Sequence, residues 1–275
     1  MESENIIVSY DGFKWVADHP SSLDAVRKRE LIVIYTCKKL AGKDKIFVDV
    51  GACAGMYTVR LAKHFKKVIA IEPNPENIKI LKENLKLNNI KNVEILPYAC
   101  GESEYFTFIE NRGAQSRITN RLIPKSYKVQ VKRLDDLIEK ADVIKIDVEG
   151  YEKQVIDGAT KLIEQQTPFL IIEHHDFWKM DYPNTFNYIR DKLSKLYYTC
   201  NLNQVQWLYI PKTADLKKFR KQLAIHFFYK AIENIKNGKE WYFGMPENWW
   251  HGMSILEFFY ELPNHVLKKE WIKKL

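Results

Sequence analysis

From Lys45 to Glu173 the chain alternates apolar runs of strand length with stretches of helical periodicity, and few folds accept that pattern. The segments "KIFVDV" (45–50), "VIAIE" (68–72), "VEILPYA" (93–99), "VIKID" (143–147) and "FLIIE" (169–173) are apolar almost throughout, as strands covered on both faces must be. Between them, "MYTVRLAKHF" (56–65), "PENIKILKENLKLN" (75–88) and 151–166 read as helices, with a further one over roughly 184–195. In the second of these, Ile78, Leu81 and Leu85 recur at helical spacing, and Pro75 stands in the first turn, where its missing N–H costs nothing. Strands alternating with helices give a parallel sheet clothed on both sides. The last two runs, "YYTCNL" (197–202) and "VQWLYI" (205–210), are joined by Asn203 and Gln204 alone, too short for a crossover, so they pair as an antiparallel hairpin. Five parallel strands closed by a hairpin make an α/β sheet of seven.

Three segments follow. Residues 1–44 are expected to form a helical lid segment, 45–210 the sheet domain, and 211–275 a basic, aromatic-rich appendage. Within the middle segment an irregular insert runs from Gly101 to Leu134, with strands near 104–109 and 127–132. No run of 18 apolar residues occurs and the first thirty residues carry Glu2, Glu4, Asp11 and Asp18, which points to a cytoplasmic protein rather than a secreted or spanning one. A peripheral membrane association stays compatible with the tryptophans of "EWYFGMPENWWHGM" (240–253). Cys37, Cys53, Cys100 and Cys200 form no C-x-x-C pair, so reduced thiols are expected. The formal charge of +8 permits an anionic partner without selecting one.

The loop after the first strand, "FVDVGACAG", places Asp49 at the strand end, Gly51 after it and Gly55 at the head of the next helix. Ligands of open parallel sheets bind beyond these strand ends. The spacing D-x-G-x-x-x-G is not the G-x-G-x-x-G of a dinucleotide site. An acid there disfavours a pyrophosphate and suits a ligand with an ammonium group, such as S-adenosylmethionine. Glu72 ends the second strand 23 residues after Asp49, close to the roughly 20-residue offset at which an acid meets ribose hydroxyls.

The fourth strand ends in Asp147 and Glu149, just before a helix. Helix capping accounts for one acid there more readily than for two. The segments "VDVGACAGMYT", "AIEPNPENIKILKENLKLN", "VKRLDDL", "IKIDVEGYEKQVIDGA" and "FLIIEHH" together resemble the FkbM-type S-adenosylmethionine-dependent methyltransferases, over about residues 45–175. The resemblance implies the seven-stranded Rossmann-like methyltransferase fold and methyl transfer to a hydroxyl, most often of a sugar or secondary metabolite. Carried over with those motifs, the cofactor-binding positions are Asp49, Gly51, Ala52, Cys53, Gly55, Tyr57, Thr58, Glu72, Pro73, Asn74, Ala99 and Asp147. Cys53 stands where the family commonly has Asn.

A hydroxyl becomes a good nucleophile when its proton is taken, and a positioned base contributes about 10²–10⁴ in rate. A carboxylate against the sulfonium would instead stabilise the ground state. Asp147 or Glu149 is therefore placed on the acceptor hydroxyl, with both left as candidates. "IIEHHD" adds Glu173, His174, His175 and Asp176 at the fifth strand end. With Asp147 these could bind a divalent metal through oxygen and imidazole ligands, but magnesium prefers oxygen, so no metal is assigned and Glu173 or His174 is expected to hydrogen-bond acceptor hydroxyls or a loop. The acceptor expected is a sugar, glycan or lipid-linked glycan. An RNA methyltransferase and a non-catalytic binding protein of the same fold are the alternatives; the fourth strand continues as D-V-E-G and lacks the N-P-P-Y type of sequence used on base amines.

Overall fold

The computed structural model describes residues 5–17, 20–26, 30–119, 122–175, 185–203 and 205–215. The appendage expected over 211–275 therefore lies, from residue 216 on, outside the described residues, as do Asp176 and the tryptophan-rich stretch. No helix of the described residues is long and apolar enough to cross a membrane.

The chain opens with a hairpin, β1 (Ile6–Val8) and β2 (Lys14–Val16), followed by helices α1 (Pro20–Val26) and α2 (Leu31–Leu40). A helical or lid segment was expected here, and the hairpin adds to it, since strands of three residues are too short to announce themselves by periodicity. The main sheet follows: β3 (Ile46–Val50), α3 (Met56–Leu61), β4 (Lys67–Ile71), α4 (Pro75–Leu87) and β5 (Val93–Leu96). The insert contributes β6 (Ala99–Cys100), β7 (Tyr105–Glu110), β8 (Arg117–Thr119) and β9 (Ser126–Lys132), which form a second, four-stranded sheet in the order β6-β9-β7-β8. The chain then returns through α5 (Leu134–Leu137), β10 (Val143–Ile146), α6 (Glu152–Asp157), α7 (Thr160–Gln166), β11 (Phe169–Glu173), α8 (Thr185–Leu193), β12 (Tyr197–Asn203) and β13 (Gln206–Pro211).

The main sheet runs β12-β13-β11-β10-β3-β4-β5, with β3, β4, β5, β10 and β11 parallel and β13 antiparallel to both its neighbours. This is the predicted architecture. Alternate residues of each strand serve opposite faces. Val48, Val50, Ile144, Ile146, Leu170 and Ile172 join Val155 and Ile156 of α6, Leu162 and Ile163 of α7 and Ile189 of α8 in one core. Phe47, Val143, Ile171 and Leu208 meet Ile32, Val33 and Cys37 of α2 and Tyr57 and Leu61 of α3 in the other. Cys37, Cys100 and Cys200 are buried free thiols.

Two predicted elements are divided. The run 93–99 breaks after Leu96, because Pro97 has no N–H for the ladder, and Ala99 passes to the second sheet. The helix expected over 151–166 is two, meeting at Gly158. A Cβ there would lie 1.9 Å from the Gly101 carbonyl oxygen, so the break lets the helix pair close on the insert.

The N-terminal hairpin is fastened to α4 by amide side chains. Asn84 Oδ1 accepts from Val16 N–H at 2.9 Å while its Nδ2 donates to the Ala54 carbonyl at 2.9 Å. Asn84 is fully buried, so neither bond is exchanged for water. Asn84→Ala is expected to cost about 2–6 kcal/mol, since it leaves two buried groups unpaired at about 1–3 kcal/mol each. A lower melting temperature together with faster proteolysis near residues 5–17 is the expected readout; an unchanged melting temperature would show that the hairpin is held elsewhere.

Candidate functional site

Strand register sets four strand-end residues side by side. Val50 is level with Ile71 on one side and Ile146 on the other, and Ile146 with Ile172. The next residues, Gly51, Glu72, Asp147 and Glu173, therefore emerge together at the carboxyl edge, where the connections from β3 and β10 diverge to opposite sides of the sheet. An open crevice of about 530 Å³, counting the solvent space at its mouth, lies there.

The loop after β3 turns through three left-handed residues, Gly51 (φ 84°), Cys53 (φ 51°) and Gly55 (φ 92°). Gly51 and Cys53 line the crevice, whereas Ala52 is buried and Gly55 serves as the N-cap of α3. Cys53 N–H donates to Glu72 Oε2 at 2.8 Å. Glu72 Oε1 accepts from Asn74 N–H at 2.9 Å and from Asn77 Nδ2 at 3.3 Å. Burial raises the Glu72 pKa, and these three donors offset part of the rise. A carboxylate offers about four lone-pair sites, so Glu72 keeps acceptor capacity toward the crevice it lines. Pro73, Tyr98, Ala99, Ile109 and Ile118 supply apolar walls beside it.

Three of the predicted cofactor positions stand beneath the loop instead of in the crevice wall. Asp49 is fully buried, its Oδ2 accepting from Thr58 N–H at 3.1 Å and Thr58 Oγ1–H at 2.6 Å. Thr58 is likewise fully buried, and Tyr57, 4% exposed, lies under the Lys145 ammonium, 4.4 Å from its ring centroid. Asp49 thus braces the start of α3, and its burial raises its pKa even though Lys145 and Thr58 lower it. Asn74 is also fully buried. Its Oδ1 accepts from Glu76 N–H at 3.0 Å as the N-cap of α4, and its Nδ2 donates to Asn111 Oδ1 and Ser116 Oγ in the insert.

Across the crevice stand Asp147 and Glu149, the latter in a left-handed conformation at φ 56°. Lys145, buried in the strand just before them, places its Nζ 2.8 Å from Asp147 Oδ2. Burial would lower the Lys145 pKa, but Asp147 and the other carboxylates around it hold it up as a fixed cation. Glu173 accepts from Gln206 Nε2 at 2.8 Å, and burial with Asp147 nearby pushes its pKa up to about 8.

The two histidines part company. His174 is fully buried, with Nε2 3.0 Å from the Tyr209 hydroxyl and its ring edge-on to Phe186, so it does not reach the acceptor side as expected. Burial, with His175 adding to it, lowers its pKa to about 3 and keeps it neutral. His175 faces the carboxylates instead: Nδ1 lies 2.7 Å from Glu152 Oε1, and Nε2 looks toward Asp147, Glu149 and Glu173. Burial acts to lower the His175 pKa, but Glu149, Glu152 and Asp147 outweigh it and push it up to about 11. Lys145, Glu152 and the insert residues Ile109, Ser116 and Ile118 were not singled out from sequence. A lysine inside an otherwise apolar parallel strand was the available signal for the first of them.

The family model for the methyltransferase FkbM domain matches residues 49–200. Among curated proteins, a "Probable cobalt-precorrin-6B C(15)-methyltransferase (decarboxylating)" of Methanocaldococcus jannaschii is 28% identical over 51% of this chain and 69% of its own length. The hexuronic acid methyltransferase AglP of Haloferax volcanii is 29% identical over 49% of this chain and 58% of its own. The tRNA (guanine(37)-N(1))-methyltransferase Trm5b of Methanocaldococcus jannaschii is 30% identical over 50% of this chain and 37% of its own. The family match spans more than half of the chain and contains the Gly51 loop, Glu72 and the Asp147–Glu149 turn, so the chain belongs to the FkbM methyltransferases, which are S-adenosylmethionine-dependent.

Proposed function

We propose that the chain transfers a methyl group from S-adenosylmethionine to a hydroxyl of a sugar, glycan or lipid-linked glycan. The observation that carries this reading is the facing of two chemistries across one crevice: a loop and buried acid suited to a nucleoside on one wall, Asp147 and Glu149 on the other. The cofactor supplies an electrophilic methyl group when bound. Gly51 and Cys53 would pass their backbone along it, Glu72 would accept from the ribose hydroxyls, and Tyr98, Ile109 and Ile118 would cover the base. The positive charge of Lys145 fixes Asp147 in place, and the carboxylate pair takes the acceptor proton as the oxygen attacks. A hexuronic acid acceptor for one relative supports the sugar reading, and a tRNA acceptor for another supports the RNA alternative.

The test is methylation of candidate glycans, lipid-linked sugars and tRNA by the purified chain, followed by mass spectrometry. A single methyl gain on a sugar hydroxyl, barely altered by salt, is expected; transfer to RNA that fades steeply with salt would overturn the sugar reading. Glu72→Ala is expected to weaken S-adenosylmethionine at least about tenfold in calorimetry, the loss of one charge-assisted hydrogen bond worth about 1.5–3 kcal/mol. Unchanged affinity in a folded variant would remove Glu72 from the ribose.

A further inference from the structure

Where β10 and β11 end and α6 begins, Asp147, Glu149 and His175 bring one potential ligand atom each to within 4.8 Å of the others. His175 Nε2 lies 3.6 Å from Glu149 Oε1, 3.7 Å from Asp147 Oδ1 and 3.7 Å from Glu173 Oε1. These separations are longer than a good hydrogen bond. They match atoms that share an ion, because tetrahedral bonds of about 2.1–2.2 Å set neighbouring ligands about 3.5 Å apart.

The far side of the ring is fixed independently. Glu152 is fully buried; its Oε1 meets His175 Nδ1 at 2.7 Å and accepts from Gly150 N–H at 3.0 Å, while its Oε2 is buried with no hydrogen-bond partner among the described residues. A carboxylate that accepts from Nδ1–H turns Nε2 toward the other carboxylates, which is how ligating imidazoles are oriented. Without an ion the imidazole carries its Nε2 proton among three carboxylate oxygens, and a divalent cation would take that proton's place.

We propose that Asp147, Glu149 and His175 bind a divalent first-row transition-metal ion, with Glu152 as the positioning residue behind His175. The imidazole favours the manganese-to-zinc series over magnesium or calcium, and the two carboxylates admit its harder members. Three protein ligands leave a coordination position open toward the crevice. An ion there would lower the pKa of an acceptor hydroxyl occupying that position, a consequence that rests on the methyl-transfer reading, whereas ion binding does not.

The experiment is titration of the full chain, stripped with chelator, with Mn²⁺, followed by the EPR signal of the free ion and by pulsed EPR of the bound one. One saturable site per chain with nitrogen modulation from a directly bound imidazole is expected. His175→Gln should abolish the modulation, and both it and Glu149→Gln should weaken binding at least about tenfold, with Zn²⁺ competing for the site in the unaltered chain. Binding without nitrogen modulation, or binding unchanged in His175→Gln, overturns the proposal; should that variant not fold, the modulation in the unaltered chain decides. Calorimetry with S-adenosylmethionine separates the two readings. Intact cofactor binding beside absent Mn²⁺ binding sinks the metal site alone, and the reverse sinks the methyltransferase pocket alone.

Discussion

Gly51→Ala is expected to abolish S-adenosylmethionine binding and to lower stability by several kcal/mol. Gly51 sits at φ 84°, and a Cβ built there would lie 1.8 Å from the Asp147 carbonyl oxygen and 2.9 Å from its carbon. Both obstacles are backbone, so no side-chain rotation relieves them. The surroundings have little freedom to yield, because Gly51 and Ala52 N–H both bond the Ile71 carbonyl, at 2.9 and 3.1 Å, and Asp147 N–H bonds the Val50 carbonyl at 3.0 Å. Left-handed backbone costs a residue with a Cβ about 1–2 kcal/mol, and overpacking adds about 1–3 more. Against a total of about 5–15 kcal/mol, such a loss is large. Gly12→Ala is the internal control: its φ is 85°, but no atom of the described residues lies within 4 Å of the added Cβ, so the backbone cost dominates. A Gly51→Ala protein with unchanged melting temperature and cofactor affinity would show that β3 and β10 are not locked together at this point.

Much of the fold was legible because a parallel sheet buried on both faces leaves a plain record in sequence. Each of its strands is a nearly unbroken apolar run, and the hairpin declared itself through a connection too short for a crossover. What escaped was decided by single residues whose effect is three-dimensional. Pro97 passes the chain from one sheet to the other, and Gly158 splits a helix because Gly101 approaches from 57 residues earlier in the chain. The crevice was legible to the level of strand ends, which is why Glu72, Asp147 and Glu149 line it.

Side-chain direction was harder to read. At a strand end a shift of one residue exchanges the two faces, so "EHH" could not reveal which histidine belongs to the crevice. The structure gives Glu173 and His175 to one side and His174 to the packing of Tyr209 and Phe186. Asp49 illustrates the converse. Its position beside two glycines suggested ligand contact, but the nearest donors are those of Thr58 in the first turn of α3, and the carboxylate turns inward to them. Cys53 has a simpler account: at φ 51° it occupies backbone that Asn tolerates well, so the Asn common in the family suits the turn itself.

Asp147→Asn and Glu149→Gln are expected to leave S-adenosylmethionine affinity within about threefold while at least one of them lowers kcat by about 10²–10⁴, the contribution of a positioned proton acceptor. The two substitutions probe different surroundings. Asp147 also answers the buried Lys145 ammonium at 2.8 Å, so its neutral amide removes a charge from an ion pair whose lysine is 1% exposed. Asp147→Asn should therefore lose stability as well as turnover. The carboxylate that pairs with Lys145 is that of Asp147, and Glu149 stands 3.6 Å from His175 Nε2. Its substitution tests chemistry with less structural cost, and a fall in kcat there without a fall in melting temperature would point to proton transfer or ion binding. Rescue of Glu149→Gln by raising pH, where acceptor hydroxyls ionise more readily, would favour proton removal as the lost function. Full turnover in both variants would remove the carboxylates from the reaction and leave the crevice with a cofactor wall but no catalytic one.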